Sequence, residues 1–351
     1  MKPIRVLVID DSAFMRKTIT DILNNDPRME VISTARNGEE GIKKIIQLSP
    51  DVVTLDVHMP IMDGMDVLRE IMQKHPVPVV MLSSMKKEGN TKTIEAISNG
   101  AVEFIAKPTG PISLDIQTIA NEIRFKVYTT SQAKTKKNLT GSSPTDQKLI
   151  LFDGKRFDKT IVAIGTSTGG PRALQQVLTN LPVTFIAPIL IVQHMPSGFT
   201  KSLAERLNKL SLIHVKEAIH GEIIKQGTVY IAPGDYHMTV KRIGTTLAIH
   251  LSKDAPIKGH RPAVNVLFDS IVKLKQMNKI AVVLTGMGND GMDGVINIKN
   301  KDSNSIIIAE NEVTSIVYGM PKSAVKTGLV DYHIPLNEVS SLLVKLTKTR
   351  L

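Results

Sequence analysis

Through the first 128 residues, short apolar runs rich in Val, Ile and Leu alternate with stretches of helical composition. The apolar runs lie at residues 4–9, 29–33, 52–55, 77–82 and 104–106. Between and after them, residues 12–24, 38–47, 65–74, 92–99 and 113–128 carry helical patterning. Strands that run as unbroken apolar stretches are buried on both faces, and parallel neighbours must be joined by crossover helices. The alternation therefore predicts an α/β unit with a five-stranded parallel, doubly wound sheet.

Such a sheet gathers its functional groups at the carboxyl ends of the strands. Asp10 and Asp11 end the first predicted strand, Asp56 the third, Ser83 the fourth and Lys107 the fifth. Packing has no need of three carboxylates, a hydroxyl and an ammonium on one rim. Clustered carboxylates repel unless a cation intervenes. A hard divalent ion with oxygen ligands, Mg²⁺, suits them, and one aspartate could then accept a phosphoryl group. Asp10-Asp11, Leu55-Asp56 with Met59-Pro60 and Asp63-Gly64, the 81–84 run Met-Leu-Ser-Ser, and Lys107-Pro108 resemble the receiver domain of two-component response regulators, a flavodoxin-like fold. That resemblance implies that Asp56 is the phosphoacceptor and that a histidine kinase supplies the phosphoryl group. It implies Mg²⁺ on Asp10, Asp11, Asp56 and the backbone carbonyl of His58. It makes Ser83 the switch hydroxyl, Lys107 the phosphate contact and Phe104 the switch aromatic.

Residues 127–157 are polar and Lys-rich, with Gly141-Ser-Ser-Pro144 and an apolar island at 150–152, and are expected to be a linker. The domains are accordingly expected at 1–126 and 158–351. The second opens on Ile161-Val-Ala-Ile164, a strand pattern, followed by Gly165-Thr-Ser-Thr-Gly-Gly170, Pro171 and a helical run. Strand, tight turn and helix present one side chain at a sheet edge. Ser167 there could be a nucleophile, and glycines before a helix could equally bind phosphate. Further apolar runs at 186–192, 228–231, 246–251, 280–284 and 305–308 predict a second doubly wound, mostly parallel α/β unit, with 246–251 folding back on its predecessor as a hairpin-like excursion. His194 and Asp290 fall in loops after two of these strands. A hydroxyl, an imidazole and a carboxylate form the set that acyl transfer requires. His220, His237, His250 and His260 compete for the role of base.

Gly165–Gly170, Gln193-His-Met-Pro196, Ala232-Pro-Gly-Asp235, His260-Arg-Pro262, Leu284-Thr-Gly-Met-Gly-Asn-Asp-Gly291 and Gly319-Met-Pro321 together resemble the catalytic domain of chemotaxis protein-glutamate methylesterases. The resemblance implies Ser167 as nucleophile, His194 as base and Asp290 as third member, with Thr168 and the backbone near Met287 supporting the oxyanion. It implies hydrolysis of glutamate γ-methyl esters and deamidation of glutamines on methyl-accepting chemotaxis receptors, with no cofactor for that step. Thr166 stands where the family usually has Ala. The phosphate-loop alternative weakens, because the loop has no P-loop Lys-Ser/Thr and no dinucleotide glycine spacing.

The net charge of +11 lies mostly in the second half, where residues 159–351 hold 22 Lys and Arg against 13 Asp and Glu. Aromatic content is only 4% and no helix-turn-helix pattern occurs, which speaks against nucleic acid. An acidic protein partner is at least as good a reading of the basic half, and a basic face with no special role is the alternative. With no cysteine, disulfides and thiolate chemistry are excluded. No signal-like or membrane-spanning run is present, and a cytoplasmic protein that is not embedded in a membrane is expected.

Overall fold

The computed structural model describes residues 2–83, 87–107, 116–133 and 159–347. The chain divides into two compact units, Met1–Asn138 and Leu139–Leu351. The expected linker falls mostly on residues outside the described ones, as do Ser84 and Pro108.

In the first unit, strands β1 (Ile4–Ile9), β2 (Met29–Ala35), β3 (Val52–Asp56), β4 (Val79–Ser83) and β5 (Glu103–Ala106) alternate with helices. The helices are α1 (Ala13–Asn24), α2 (Gly38–Leu48), α3 (Gly64–Lys74), α4 (Lys87–Ser98) and α5 (Ile116–Ser131). The sheet order is β2-β1-β3-β4-β5, and every pairing is parallel. Side chains cap three of the helices: Ser12 accepts from the Met15 amide, Asn37 from Glu40 and Asp63 from Met65. Each such cap is worth about 1 kcal/mol and marks a helix start in the sequence. One face of the sheet buries Val6, Val8, Val80, Leu82 and Ile105 with Ile19, Leu23, Ile123 and Val127 from α1 and α5. Burial of Val127 and Thr130 carries α5 through Ser131, beyond the domain end expected at residue 126.

The second unit contains β6 (Thr160–Thr166), α6 (Gly170–Thr179), β7 (Ile189–Gln193), α7 (Phe199–Leu210), β8 (His214–Glu217), β9 (Thr228–Ile231), β10 (His237–Ile243) and β11 (Thr246–Ser252). It continues with α8 (Val264–Val272), β12 (Asn278–Val283), α9 (Met292–Lys301), β13 (Ile306–Glu310), α10 (Met320–Val325), β14 (Tyr332–Ile334) and α11 (Leu336–Thr347). Seven strands form a parallel sheet in the order β14-β13-β12-β6-β7-β9-β8. The excursion differs from expectation. β11 pairs antiparallel with β10 in a separate two-stranded ribbon, whereas β9, buried at all four residues, stays in the main sheet. The main core packs Ala163, Leu190, Tyr230, Val283 and Ile307 against Phe268 and Leu267 of α8. A Cβ on Gly165 would overlap the Val264 side chain, so glycine there lets α8 lie close over β6.

Candidate active site and receiver site

Strand register brings the serine and the histidine side by side. Thr166 pairs with Gln193 across β6 and β7, and the His194 amide donates to the Thr166 carbonyl at 3.2 Å. Ser167 and His194 are each the next residue along, on strands about 4.8 Å apart. Ser167 is partly exposed, and its hydroxyl takes no hydrogen bond among the described residues. Its loop is held from behind. The Ser167 amide donates to the Thr285 carbonyl at 3.1 Å, and Thr166 Oγ1 donates to the same carbonyl at 2.7 Å. The hydroxyl at position 166 therefore ties the end of β6 to the end of β12, a bond that alanine could not make. Gln193 Nε2 donates to the carbonyls of Ser167 at 2.9 Å and His194 at 3.2 Å. A Cβ on Gly170 would overlap Gln193 Oε1 and Thr166 Oγ1, so glycine is needed where α6 starts.

The structure joins His194 to Asp290. Nε2 of His194 lies 2.8 Å from Asp290 Oδ2, while His194 Nδ1 is buried without a hydrogen-bond partner. Asp290 also accepts the amides of Val264 at 2.6 Å and Asn265 at 3.0 Å, the first two residues of α8. It thus acts as a cap for α8, whose dipole favours a negative charge at that end. Burial opposes ionisation of Asp290, but His194 and the two amides outweigh it and hold the carboxyl below its usual range. The arrangement is reciprocal. Asn265 Oδ1 accepts the amides of Gly291 and Gly294, both at 2.9 Å, and so caps α9. Asn265 was not marked by the sequence patterns. Its only signal is its place at the start of a helical run.

Of the competing histidines, only His260 reaches the site. Its ring stacks on that of His194 with centroids 3.9 Å apart and planes within 6°. His237 Nδ1 accepts the Ala263 amide and His220 pairs with Leu251 of the ribbon, so both are structural. Thr168 is buried, and its amide donates to no group among the described residues; Met287 is half-buried in the loop after β12. Glu310, fully buried at the end of β13, also escaped the sequence patterns. It accepts the Thr285 amide at 2.7 Å and the Thr314 hydroxyl at 3.0 Å, and burial pushes its carboxyl up to about 7.

On the receiver rim, Asp10, Asp11 and Asp56 each offer an oxygen within 4.8 Å of the others. Lys107 Nζ lies 2.8 Å from Asp10 and 2.7 Å from Asp56. Burial raises the Asp56 carboxyl above its usual value, against the pull of Lys107. Burial also works against the Lys107 ammonium, but Asp56 and Asp10 hold its proton more firmly than usual. His58 donates its amide to Asp56 at 3.4 Å, a weak bond. Ser83 Oγ accepts from Thr93 Oγ1 at 2.6 Å and donates to the Gly89 carbonyl at 3.2 Å. Phe104 is buried, with Lys126 Nζ 4.8 Å above its ring.

Among the described residues, no helix is long and apolar enough to cross a membrane. Family models match both units: one described as CheB methylesterase over residues 162–343, and one described as response regulator receiver domain over residues 6–118. A protein-glutamate methylesterase/protein-glutamine glutaminase of Oceanobacillus iheyensis is 58% identical over 349 residues, covering 98% of this chain and 99% of the relative. One of the same name from Pyrococcus abyssi is 43% identical, covering 98% and 94%. The crystal structure of the Thermotoga maritima CheB methylesterase catalytic domain is 46% identical with a TM-score of 0.52, covering 54% of this chain and 98% of that one. The chain belongs to the protein-glutamate methylesterase/protein-glutamine glutaminase family, with a response regulator receiver domain preceding a CheB methylesterase domain.

Proposed function

We propose that the chain is a serine esterase that removes the methyl group from glutamate γ-methyl esters on methyl-accepting chemotaxis receptors. The observation that carries the reading is the pairing of His194 Nε2 with a buried, multiply bonded Asp290 beside a strand-end serine. With Nε2 committed to Asp290, Nδ1 is the nitrogen left to take the serine proton. Ser167 Oγ attacks the γ-carbonyl as His194 Nδ1 removes its proton. The tetrahedral oxyanion is held by backbone amides near Thr168 and Met287. Collapse expels methanol, which carries off the proton from His194. Water, deprotonated by the same nitrogen, then releases the glutamate carboxylate and restores Ser167. A glutamine side chain would follow the same course with ammonia leaving. The excess positive charge of the second unit suits receptor helices rich in glutamate.

The receiver supplies control. A histidine kinase passes a phosphoryl group from its phosphohistidine to an Asp56 oxygen. Asp10, Asp11, Asp56 and the His58 carbonyl would hold Mg²⁺; among the described residues, three carboxylates with one paired lysine, Lys107, leave negative charge for a cation to offset. The ion, when bound, neutralises charge on the phosphoryl group during transfer. Ser83 and Phe104 then relay the change, and the unphosphorylated receiver restrains the esterase.

The test is methanol release from membranes carrying methylated receptors. Ser167→Ala is expected to lower the rate at least about 1,000-fold while the melting midpoint is kept; retained hydrolysis would reject the assignment. Removal of residues 1–150 is expected to raise the unstimulated rate, and a truncated protein no faster than the full chain would end the restraint model.

A further inference from the structure

The hydrogen bond from His194 to Asp290 fixes one nitrogen of the base but not the plane of its ring. The other nitrogen, Nδ1, is buried and has no polar partner. A ring held at a single atom can swing about that atom, and a swing of about 1 Å at the reacting nitrogen is enough to cost two orders of magnitude in rate. What lies against the ring face is His260, its centroid 3.9 Å away and its plane nearly parallel.

His260 is itself firmly placed. Residues Ile257 and His260 exchange backbone hydrogen bonds at 3.0 and 2.9 Å around Lys258 and Gly259, both with positive φ. Lys258 Nζ reaches Asp293 Oδ2 at 2.6 Å, at the start of α9. Arg261 Nη1 donates to the carbonyls of Lys253 and Asp254, both at 3.1 Å. The turn is thus tied to α9, which begins two residues after Asp290 and whose N-terminus Asn265 caps. The carboxylate and the stacked ring that contact His194 share one scaffold.

We propose that His260 is a positioning residue for the esterase reaction: its ring, stacked face to face on His194, sets the plane of the base and lies beside the imidazolium that forms when the serine proton is taken. The inference rests on the serine-esterase reading above. Burial and the neighbouring His194 push the His260 imidazole down to about 4, so near neutral pH it remains uncharged. An uncharged aromatic face tolerates a cation against it, whereas a second imidazolium would repel one. No ring nitrogen of His260 is bonded within the protein among the described residues, which makes the face, rather than a hydrogen bond, its contribution.

The experiment compares His260→Phe with His260→Gln in the full chain, using methanol release from membranes carrying methylated receptors. Phe keeps a flat ring and discards the nitrogens; Gln keeps a polar group and discards the ring. His260→Gln is expected to lose about 30- to 100-fold in kcat with KM changed less than about twofold. His260→Phe is expected to restore kcat to within about threefold of the unaltered protein, the geometric restraint being kept. Melting midpoints separate this from a purely structural role, which would lower both midpoints and leave kcat per folded molecule unchanged. Phe as slow as Gln would overturn the proposal, because a nitrogen would then be what matters. Full kcat in both variants would overturn it as well. Ser167→Ala run alongside distinguishes the two levels: if it is inactive while His260→Gln is fully active, only this inference falls; if it hydrolyses ester, the serine-esterase reading falls and takes this inference with it.

Discussion

Asp56 and Asp290 belong to matching places in two parallel sheets, one in each unit. Both lie at strand carboxyl ends or in the loop just beyond, and both are almost inaccessible, at 4% and 2% exposure. Their carboxyl groups nevertheless shift in opposite directions. Burial raises Asp56, because Lys107 is shared with Asp10 and, among the described residues, the one amide contact, from His58, is long. Burial also opposes ionisation at Asp290, yet His194 and two amides at the start of α8 overcome it. A carboxylate whose lone pairs are filled by the protein becomes a fixed orienting charge. One left short of partners is poised to take a cation or a phosphoryl group. Burial alone does not distinguish these cases; counting donors does.

The same substitution at the two positions should therefore give unlike results. Asp290→Asn is expected to cut kcat by about 10³- to 10⁴-fold, through loss of the correct tautomer and orientation of His194. Steady-state methanol release measures it, and a loss below tenfold would mean that Asp290 does not orient the base. The same variant should destabilise the esterase unit by about 2–3 kcal/mol, since an amide replaces the acceptor of charge-assisted bonds to Val264, Asn265 and His194. Urea unfolding of the full chain reads this as an earlier esterase transition. Mg²⁺ at ten times its dissociation constant should stabilise the receiver transition alone by about 1.4 kcal/mol. An equal shift in both transitions would place the ion elsewhere. Asp56→Asn should stabilise the receiver by about 1 kcal/mol near neutral pH without Mg²⁺, because it removes one of three mutually repelling carboxylates. It should also abolish stimulation by a phosphodonor while leaving basal esterase activity.

The smallest effect is on pH dependence, where the signs also oppose. Asp290, depressed in the folded protein, stabilises above the unfolded carboxyl value near 3.8, and that contribution is lost as pH falls through its lower folded value. Asp56, raised in the folded protein, contributes most below 3.8 and loses that contribution as pH rises through its folded value. Acidification should weaken the esterase transition relative to the receiver transition. Parallel loss in both would contradict the contrast.

Much of this was legible because strand ends punctuate the sequence. Apolar β-branched runs closed by Asp56, Ser167 or His194 mark both a strand and its edge. Helix caps such as Ser12, Asn37 and Asp63 mark receiver boundaries in the same way. The esterase helices gave less. Those beginning after Gly169, Gly198, Ala263 and Gly291 have no side-chain cap of their own. For α8 and α9, the caps come from Asp290 in the loop before α9 and from Asn265 in the first turn of α8, which no local pattern encodes. β8 and β10 escaped because their residues alternate or mix polar types, and three-residue β14 is too short to carry a period. The pairing of β6 with β12 was hidden for another reason. Register between strands distant in sequence depends on packing, so the hydroxyl bond from Thr166 to Thr285 across 119 positions had no sequence signature.

That long span has a consequence during synthesis. A nascent chain that has emerged through Ser167 has the proposed nucleophile but neither the β12 strand that braces the serine loop nor the Asp290 that bonds His194. More than a hundred further residues must leave the ribosome before they arrive, and α11, whose Ser340 Oγ bonds the Val177 carbonyl, comes later still, 163 positions after its partner. Non-local parallel pairing is slow to form. A half-made product thus lacks the bonds that brace the serine loop, and the esterase unit is complete only in chains that have been finished and folded.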